Sequence, residues 1–441
     1  MVSRKEVEAE LLGDINPATI FSRKGQAQEF IKKQPLFYDK SGMWWMWNKI
    51  KFCWERVDEV DVLNMVEAAI DIDTINTRAR MEIINSLKQV GRLNIPKNPE
   101  KTWIQFKDEI YDITNGEKFK ASPEYFITNP IPYKVSGDPR TPTIEKIFEE
   151  WVGKEYVETL YQITAYCLLP DYPLHRLFVF IGGGMNGKSC FLNFLKKFIG
   201  VENVTSTELD TLMTSKFEVT RLHKKLIAMM GETNFNEMSR TSMLKKLTGG
   251  DLIGMEYKNK TPFEEVNYAK IVIATNNLPA TNDKTWGFYR RWLVLDFPNK
   301  FSEKKNILND IPEEEYENLA TNSVITLHKL LEIREFHNEG SIQQRADKYE
   351  EKSNFLKKFL ELFTEYDNDS FITKHSFFNK FNNWCVENRH RKMSETSLAS
   401  AMKNENVEGD KSYIDWEENG QKIRKQVRIW RGIRWKEQLN M

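Results

Sequence analysis

The sequence has little of what would mark a metal or disulfide protein. Among 441 residues there are only four cysteines and six histidines. Cys53, Cys167, Cys190 and Cys385 form no C-x-x-C pair, and the histidines show no zinc-ligand spacing. Such thiols are expected to be reduced, which points to the cytoplasm. Net charge is also missing. Lys+Arg and Asp+Glu both total 64, so bulk electrostatics argue neither for nor against nucleic acid, and any basic surface has to be local. No apolar run reaches the ~18 residues that would suggest a membrane span. The opening stretch MVSRKEVEAELLGD is charged and helix-patterned, unlike a signal peptide. What remains, with 40% hydrophobic and 29% charged residues, has the composition of a globular chain. Its length allows two or three domains.

The most informative stretch is Phe178 to Phe198, FVFIGGGMNGKSCFLNFLKKF. An apolar run suited to a buried strand enters a glycine turn and leaves as an amphipathic helix with Phe191, Leu192, Phe194, Leu195 and Phe198 on its apolar face. Between them, Gly182 to Ser189 fits G-x-x-x-x-G-K-[ST]. Glycines let successive backbone N–H groups converge on phosphate oxygens. The following helix adds its positive end. The expected nucleotide contacts are Gly182, Gly183, Gly184, Met185, Asn186, Gly187, Lys188, Ser189 and Cys190. Lys188 suits the β- and γ-phosphates of ATP, and the Ser189 hydroxyl suits Mg²⁺.

Two further apolar runs look like buried strands with a polar residue just past the end. Leu226 to Met230 is followed by Glu232, placed to serve the Mg²⁺ water shell and the attacking water. Lys270 to Asn277 (KIVIATNN) ends in Asn276, whose amide can orient water at a γ-phosphate. Leu252 to Val266 reads as a hairpin with Lys258, Asn259 and Lys260 at its tip, as suited to phosphate contact as to plain solvation. Arg290 and Arg291 precede a strand at Leu293 to Phe297, where buried arginines need anionic partners.

Together these elements resemble the superfamily 3 helicases of phage, plasmid and poxvirus primase-helicases. GGGMNGKS is similar to motif A, LIAMMGET to motif B, KKLTGGD with the YKNK hairpin to motif B′, and KIVIATNN to motif C. The resemblance covers about residues 100 to 300. It implies an α/β fold with an AAA+-like phosphate-loop ATPase core, assembled as a homo-oligomeric, hexameric ring. It assigns Lys188 and Ser189 to ATP and Mg²⁺, Glu232 to the motif B acid and metal, and Asn276 to the sensor. Arg291 takes the role of arginine finger, with Arg290 as the second candidate. Lys258, flanked by Asn259 and Lys260, takes the contact with single-stranded DNA. Two departures stand out: Gly231 occupies a place where relatives often carry a second acid, and Asn259 one where some carry histidine.

Around this core the sequence predicts an α+β, collar-like N-terminal region over 1–140, the ATPase core over 141–335 and a winged-helix-like domain over 345–441. In the first, Leu36 to Val57 reads as a hairpin or meander, Asp58 to Val90 as helical and Lys101 to Val135 as β. Trp44, Trp45, Trp47 and Trp54 suit either base stacking or a small core, and the core is the preferred reading. Ile70-Asp71-Ile72-Asp73 superficially resembles a primase-polymerase metal motif, but lies between two helical patterns and reads as a helix N-cap. In the last domain, short helices lead to a two-stranded ribbon. Arg389, His390, Arg391 and Lys392, and the tail residues Lys422, Arg424, Lys425, Arg428, Arg431 and Arg434, suit a duplex DNA backbone.

The leading expectation is an ATP-dependent DNA helicase that moves on single-stranded DNA and unwinds duplex in viral, phage or plasmid replication, beside a primase or primase-polymerase. A DNA-binding AAA+ initiator that melts an origin is the alternative. A phosphate-loop kinase is disfavoured, since neither the Arg-Arg element nor a basic tail serves a small acceptor.

Overall fold

A computed structural model describes residues 23–70, 77–231, 237–238, 240–302, 306–387, 392–418 and 421–436. Asp71 to Asp73, Glu232 and Arg389 to Arg391 therefore lie outside the described residues. The chain divides into two compact units. The first comprises Met1–Thr233, Arg240–Ala274 and Leu295–Glu339; the second comprises Asn234–Ser239, Thr275–Val294 and Gly340–Met441.

The first described elements of the first unit are helix α1 (Arg23–Lys33) and the meander β1 (Leu36–Tyr38), β2 (Trp44–Asn48) and β3 (Cys53–Val57), with Phe37 opposite Trp45 and Trp47 opposite Trp54. Helices α2 (Glu59–Ile70) and α3 (Thr77–Gly91) follow. The period-2 alternation of strands explains the tryptophans. Trp44 and Met46 face a core with Phe30, Val66 and Leu87 from the three helices, while Trp45, Trp47 and Trp54 form a second cluster against Phe126. All four indoles are buried, so they are core residues and not a stacking platform. A second meander, β4 (Trp103–Phe106), β5 (Glu109–Asp112) and β6 (Lys118–Lys120), turns at Gly116 with φ 72°.

Helices α4 (Pro142–Val152) and α5 (Val157–Tyr166) lead to β7 (Leu177–Ile181) and α6 (Lys188–Ile199). Pro142 starts α4 where its missing N–H costs nothing. The Glu315 carboxylate accepts hydrogen bonds from the amides of Thr143 at 3.0 Å and Ile144 at 3.1 Å, at the positive end of that helix. Next come β8 (Val204–Ser206), α7 (Leu209–Thr214), α8 (Lys216–Val219) and β9 (Ile227–Met230).

The chain continues through β10 (Glu237–Met238), α9 (Ser242–Leu247), the hairpin β11 (Leu252–Met255) and β12 (Phe263–Val266), and β13 (Lys270–Thr275). Then follow β14 (Ala280–Thr281), α10 (Trp286–Tyr289), β15 (Trp292–Asp296) and α11 (Glu313–Ile333). The central sheet has strand order β15-β7-β13-β9-β8, with β9 parallel to both β13 and β8. Every residue of β7, β9 and β13 is buried, as expected for strands covered on both faces, so they read as continuous apolar runs. Phe191 and Phe194 of α6 meet Phe148 of α4 edge-on, with ring centroids 5.8 and 5.3 Å apart.

In the second unit, α12 (Ile342–Ser353) begins with a Ser341–Gln344 capping box. Its Tyr349 is enclosed by Phe288, Tyr289 and Trp292 and donates to the Pro279 carbonyl oxygen at 2.7 Å. Then come α13 (Phe355–Phe363), β16 (Thr364–Thr373), α14 (Lys374–Glu387), α15 (Glu395–Asn404), β17 (Gly409–Glu418) and β18 (Gln421–Trp435). The sequence leads one to expect a two-stranded ribbon. The sheet has three antiparallel strands, β16-β18-β17, because β16 joins it with a break in register between Tyr366 and Phe371. The polar run Asp367 to Ser370 hides that strand from an apolar pattern. The core below it gathers Phe359, Phe377, Phe381, Trp384 and Trp430. Among the described residues no helix is long and apolar enough to cross a membrane.

Candidate functional site

The glycine turn after β7 is a formed loop. Gly184, Met185 and Gly187 all have positive φ, at 101°, 52° and 89°. Met185 is a costly residue for that conformation and is 58% exposed. Gly182 could carry no side chain: a Cβ there would lie 2.7 Å from the Phe297 carbonyl oxygen. A Cβ at Gly187 would lie 2.5 Å from the Trp151 indole. Gly187 also stands at the N-cap of α6 without a side chain to cap it, so the helix directs its positive end at the loop.

Asn186 staples this loop. Its side chain is 4% exposed and donates to the carbonyl oxygens of Phe297 at 3.0 Å and Asn299 at 3.1 Å. The Phe301 amide returns a bond to the Met185 carbonyl oxygen at 2.7 Å. Lys188, 8% exposed, donates from Nζ to the Gly182 carbonyl oxygen at 2.6 Å and lies 3.4 Å from Asn186 Oδ1. The ammonium is thus held under the loop. Ser189 is exposed. Cys190 is half-buried, and burial pushes its thiol up, so it is a weak nucleophile at neutral pH.

The remaining sequence-predicted residues fall elsewhere. Gly231 follows β9 and is exposed, and Glu232 lies outside the described residues. Asn276 is half-buried, one residue past β13, in the second unit. The two arginines differ sharply. Helix α10 is capped by the Thr285 hydroxyl, which accepts from the Phe288 amide at 3.3 Å. Arg291 is only 6% exposed and donates from Nη1 to the Gly287 carbonyl oxygen. Arg290 is exposed.

Lys258, Asn259 and Lys260 are exposed at the tip joining β11 and β12, and Asn259 takes the left-handed conformation at φ 61°. Lys260 is drawn back, donating to the Gly42 carbonyl oxygen at 2.6 Å. Tyr257, directly before that tip, belongs to a polar cluster. Tyr257 bonds His223 at 3.0 Å, His223 Nε2 lies 2.9 Å from Glu265, and Arg56 lies over the Tyr257 ring at 4.5 Å. Burial pushes Glu265 up, but the His223 hydrogen bond and the Lys224 charge outweigh it and hold the carboxyl at about 2. In the tail, Arg431 pairs with Asp410 at 2.8 Å and Arg434 with Glu365 at 2.6 Å, whereas Arg424, Lys425 and Arg428 are exposed.

Sequence reasoning missed the loop's supports, Trp151, Phe297 and Asn299. They carry no local signal, because each lies far along the chain from the glycine turn.

Residues 180–291 match a family of unknown function, DUF5906. That span runs from the end of β7 to Arg291. Among solved structures, the chain is similar to the apo structure of the NrS-1 C-terminal region at 14% identity. That match covers 95% of this chain and 100% of that one, with a TM-score of 0.46. It is also similar to an A-form apo structure of the same region at 13% identity, over 91% and 96% of the two chains and with a TM-score of 0.46.

Proposed function

We propose that the chain is an ATP-dependent DNA helicase of the superfamily 3 type, with an AAA+-like ATPase core and a winged-helix-like C-terminal domain. The observation that carries this reading is the phosphate loop itself. Three residues with positive φ, a lysine held beneath and a helix N-terminus behind it form an anion cradle. In it Lys188 would hold the β- and γ-phosphates of ATP, and the Ser189 hydroxyl would take Mg²⁺, which neutralises charge developing at the transferred phosphoryl group. Glu232 is proposed to activate water and Asn276 to orient it.

A finger acts on the neighbouring subunit's nucleotide, so its guanidinium has to leave its own chain's surface. On that ground Arg290, exposed, is the better candidate than Arg291, buried on its own Gly287 carbonyl. Lys258, at the hairpin tip, is proposed to follow single-stranded DNA within a hexameric ring. The exposed Arg424, Lys425 and Arg428 are proposed to meet duplex backbone, and a primase or primase-polymerase is the proposed companion. An origin-melting AAA+ initiator would use the same cradle, and strand displacement over long duplexes separates the two.

The test is ATP hydrolysis with and without single-stranded DNA for wild type, Lys188→Ala, Arg290→Ala and Arg291→Ala, and for each arginine variant mixed with Lys188→Ala. DNA stimulation, a dead Lys188→Ala, one dead arginine variant and recovery when those two are mixed support a finger acting between subunits. Hydrolysis indifferent to DNA sinks the helicase reading.

A further inference from the structure

A cleft in the first unit is lined by none of the phosphate-loop residues and reaches Tyr257, beside Lys258 of the hairpin. Its volume is about 1420 Å³. Small-molecule pockets run to about 300–1,000 Å³, so this cleft is on the scale of a polymer. Eight lysines and arginines line it against three carboxylates. Five of those cations are ion-paired, Lys51 with Glu55, Lys107 with Glu317, Lys197 with Glu313, Arg221 with Glu218 and Lys224 with Glu265, so the cleft's positive character is carried by the others, Lys196 among them. One wall is the C-terminal half of α6, where Asn193, Lys196 and Lys197 share a face at helical spacing. Lys197 is tied to Glu313 at 3.3 Å and lies over the Tyr316 ring at 4.2 Å, while Lys196 is exposed.

The turn between β2 and β3 also lines it, through Ile50, Lys51 and Phe52. It is held in one conformation from two sides. The Asn48 side-chain oxygen accepts from the amides of Ile50 and Lys51, both at 2.9 Å. Gln105 donates to the Phe52 carbonyl oxygen at 2.8 Å. The result is an aromatic residue in an unfavourable backbone state, Phe52 at φ 54° and 38% exposed. A turn needing only to reverse the chain would place Gly or Asn there. Phe52 forgoes that and leaves more than a third of its surface open.

We propose that this cleft is a second track for single-stranded DNA, with Phe52 as a base-stacking platform and Lys196 as a phosphate contact. Stacking on an exposed ring needs unpaired bases, which selects single strand over duplex, and the cationic wall follows the backbone. The inference rests on the reading of the protein as a DNA motor.

The test measures binding of a fluorescent oligothymidylate to the full chain by anisotropy across a salt series. Wild type is compared with Phe52→Asn, Lys196→Glu and Lys258→Ala. Asn tolerates positive φ, so Phe52→Asn removes the ring while its urea midpoint stays level or rises. Affinity should fall about ten-fold. Lys196→Glu should weaken binding and reduce the salt slope by about 0.7 or more. If both bind as wild type while Lys258→Ala does not, the cleft is not a track and the motor reading stands. If wild type fails to bind, both fall. If Lys196→Glu changes the assembly size measured by mass photometry but not the DNA affinity, the cleft is a subunit contact and the proposal is overturned.

Discussion

Lys188 Nζ donates to the carbonyl oxygen of Gly182 at 2.6 Å, so the two ends of the glycine loop are joined by one side chain. A phosphate entering the loop offers the ammonium a charged partner in place of a carbonyl. Lys188→Ala should lower ATP turnover by about 10²-fold or more, in the range seen when a transition-state donor is lost. Lys188→Met, which keeps the buried stem, should do the same with a near-native melting curve. Activity in Lys188→Met would show that the loop does not serve a nucleotide.

Gly187 and Trp151 are complementary in shape. Gly187→Ala places a methyl against the indole in a backbone state that costs an L-residue about 1–2 kcal/mol, and overpacking adds about 1–3 kcal/mol. Trp151→Ala alone should cost about 3–5 kcal/mol. The double variant should be more stable than the sum of the two predicts, because the indole that clashes is gone. Urea denaturation of the four proteins measures the coupling. Strict additivity would show that the glycine is needed for its φ alone.

Lys270 is fully buried at the start of β13, where Nζ donates to the carbonyl oxygens of Asp171 at 2.7 Å and Tyr268 at 3.1 Å, and to that of Leu169. Desolvation lowers its pKa to about 7. Below the unfolded value of 10.5 the unfolded chain takes a proton that the folded one refuses until pH falls to about 7. Stability from this group therefore rises with pH between those limits and is flat below them. Between pH 8 and 9 the wild type should gain roughly 1.4 kcal/mol per pH unit relative to Lys270→Met, with about half that slope near pH 7. Parallel stability curves for the two would refute it.

Arg290 and Arg291 should separate stability from turnover. Arg291→Ala removes a buried donor from the Gly287 carbonyl and should cost about 1–3 kcal/mol in urea denaturation. Arg290→Ala, at an exposed position, should stay within about 0.5 kcal/mol of wild type. If Arg290 is the finger, its variant should lose about 10³-fold in DNA-stimulated hydrolysis while remaining folded and assembled. The reverse pattern would return the role to Arg291.

Much of the first unit was legible in local chemistry. Strands β7, β9 and β13 are wholly buried, so each appears as an uninterrupted apolar run that needs no partner to be recognised. The glycine turn was legible because its pattern, G-x-x-x-x-G-K-S, lies within eight consecutive positions. The aromatic meander was legible as strand, and the alternation of Trp44 with Trp45 decided that both of its faces are core. Strand β16 was not legible. Its middle, Asp367 to Ser370, is polar, and it is held in place by pairing with β18 some sixty residues later.

The sequence by itself determined the buried strands β7, β9 and β13, the glycine turn after β7 and the helix behind it, because these rest on contacts between neighbours in the chain. The tertiary structure alone decided which residues close around that loop, which of two adjacent arginines reaches the surface, and that cations from α6 and the β2–β3 turn share one cleft. Those outcomes depend on side chains separated by tens to over a hundred residues, whose meeting is set by how helices and sheets pack and leaves no mark on the local pattern.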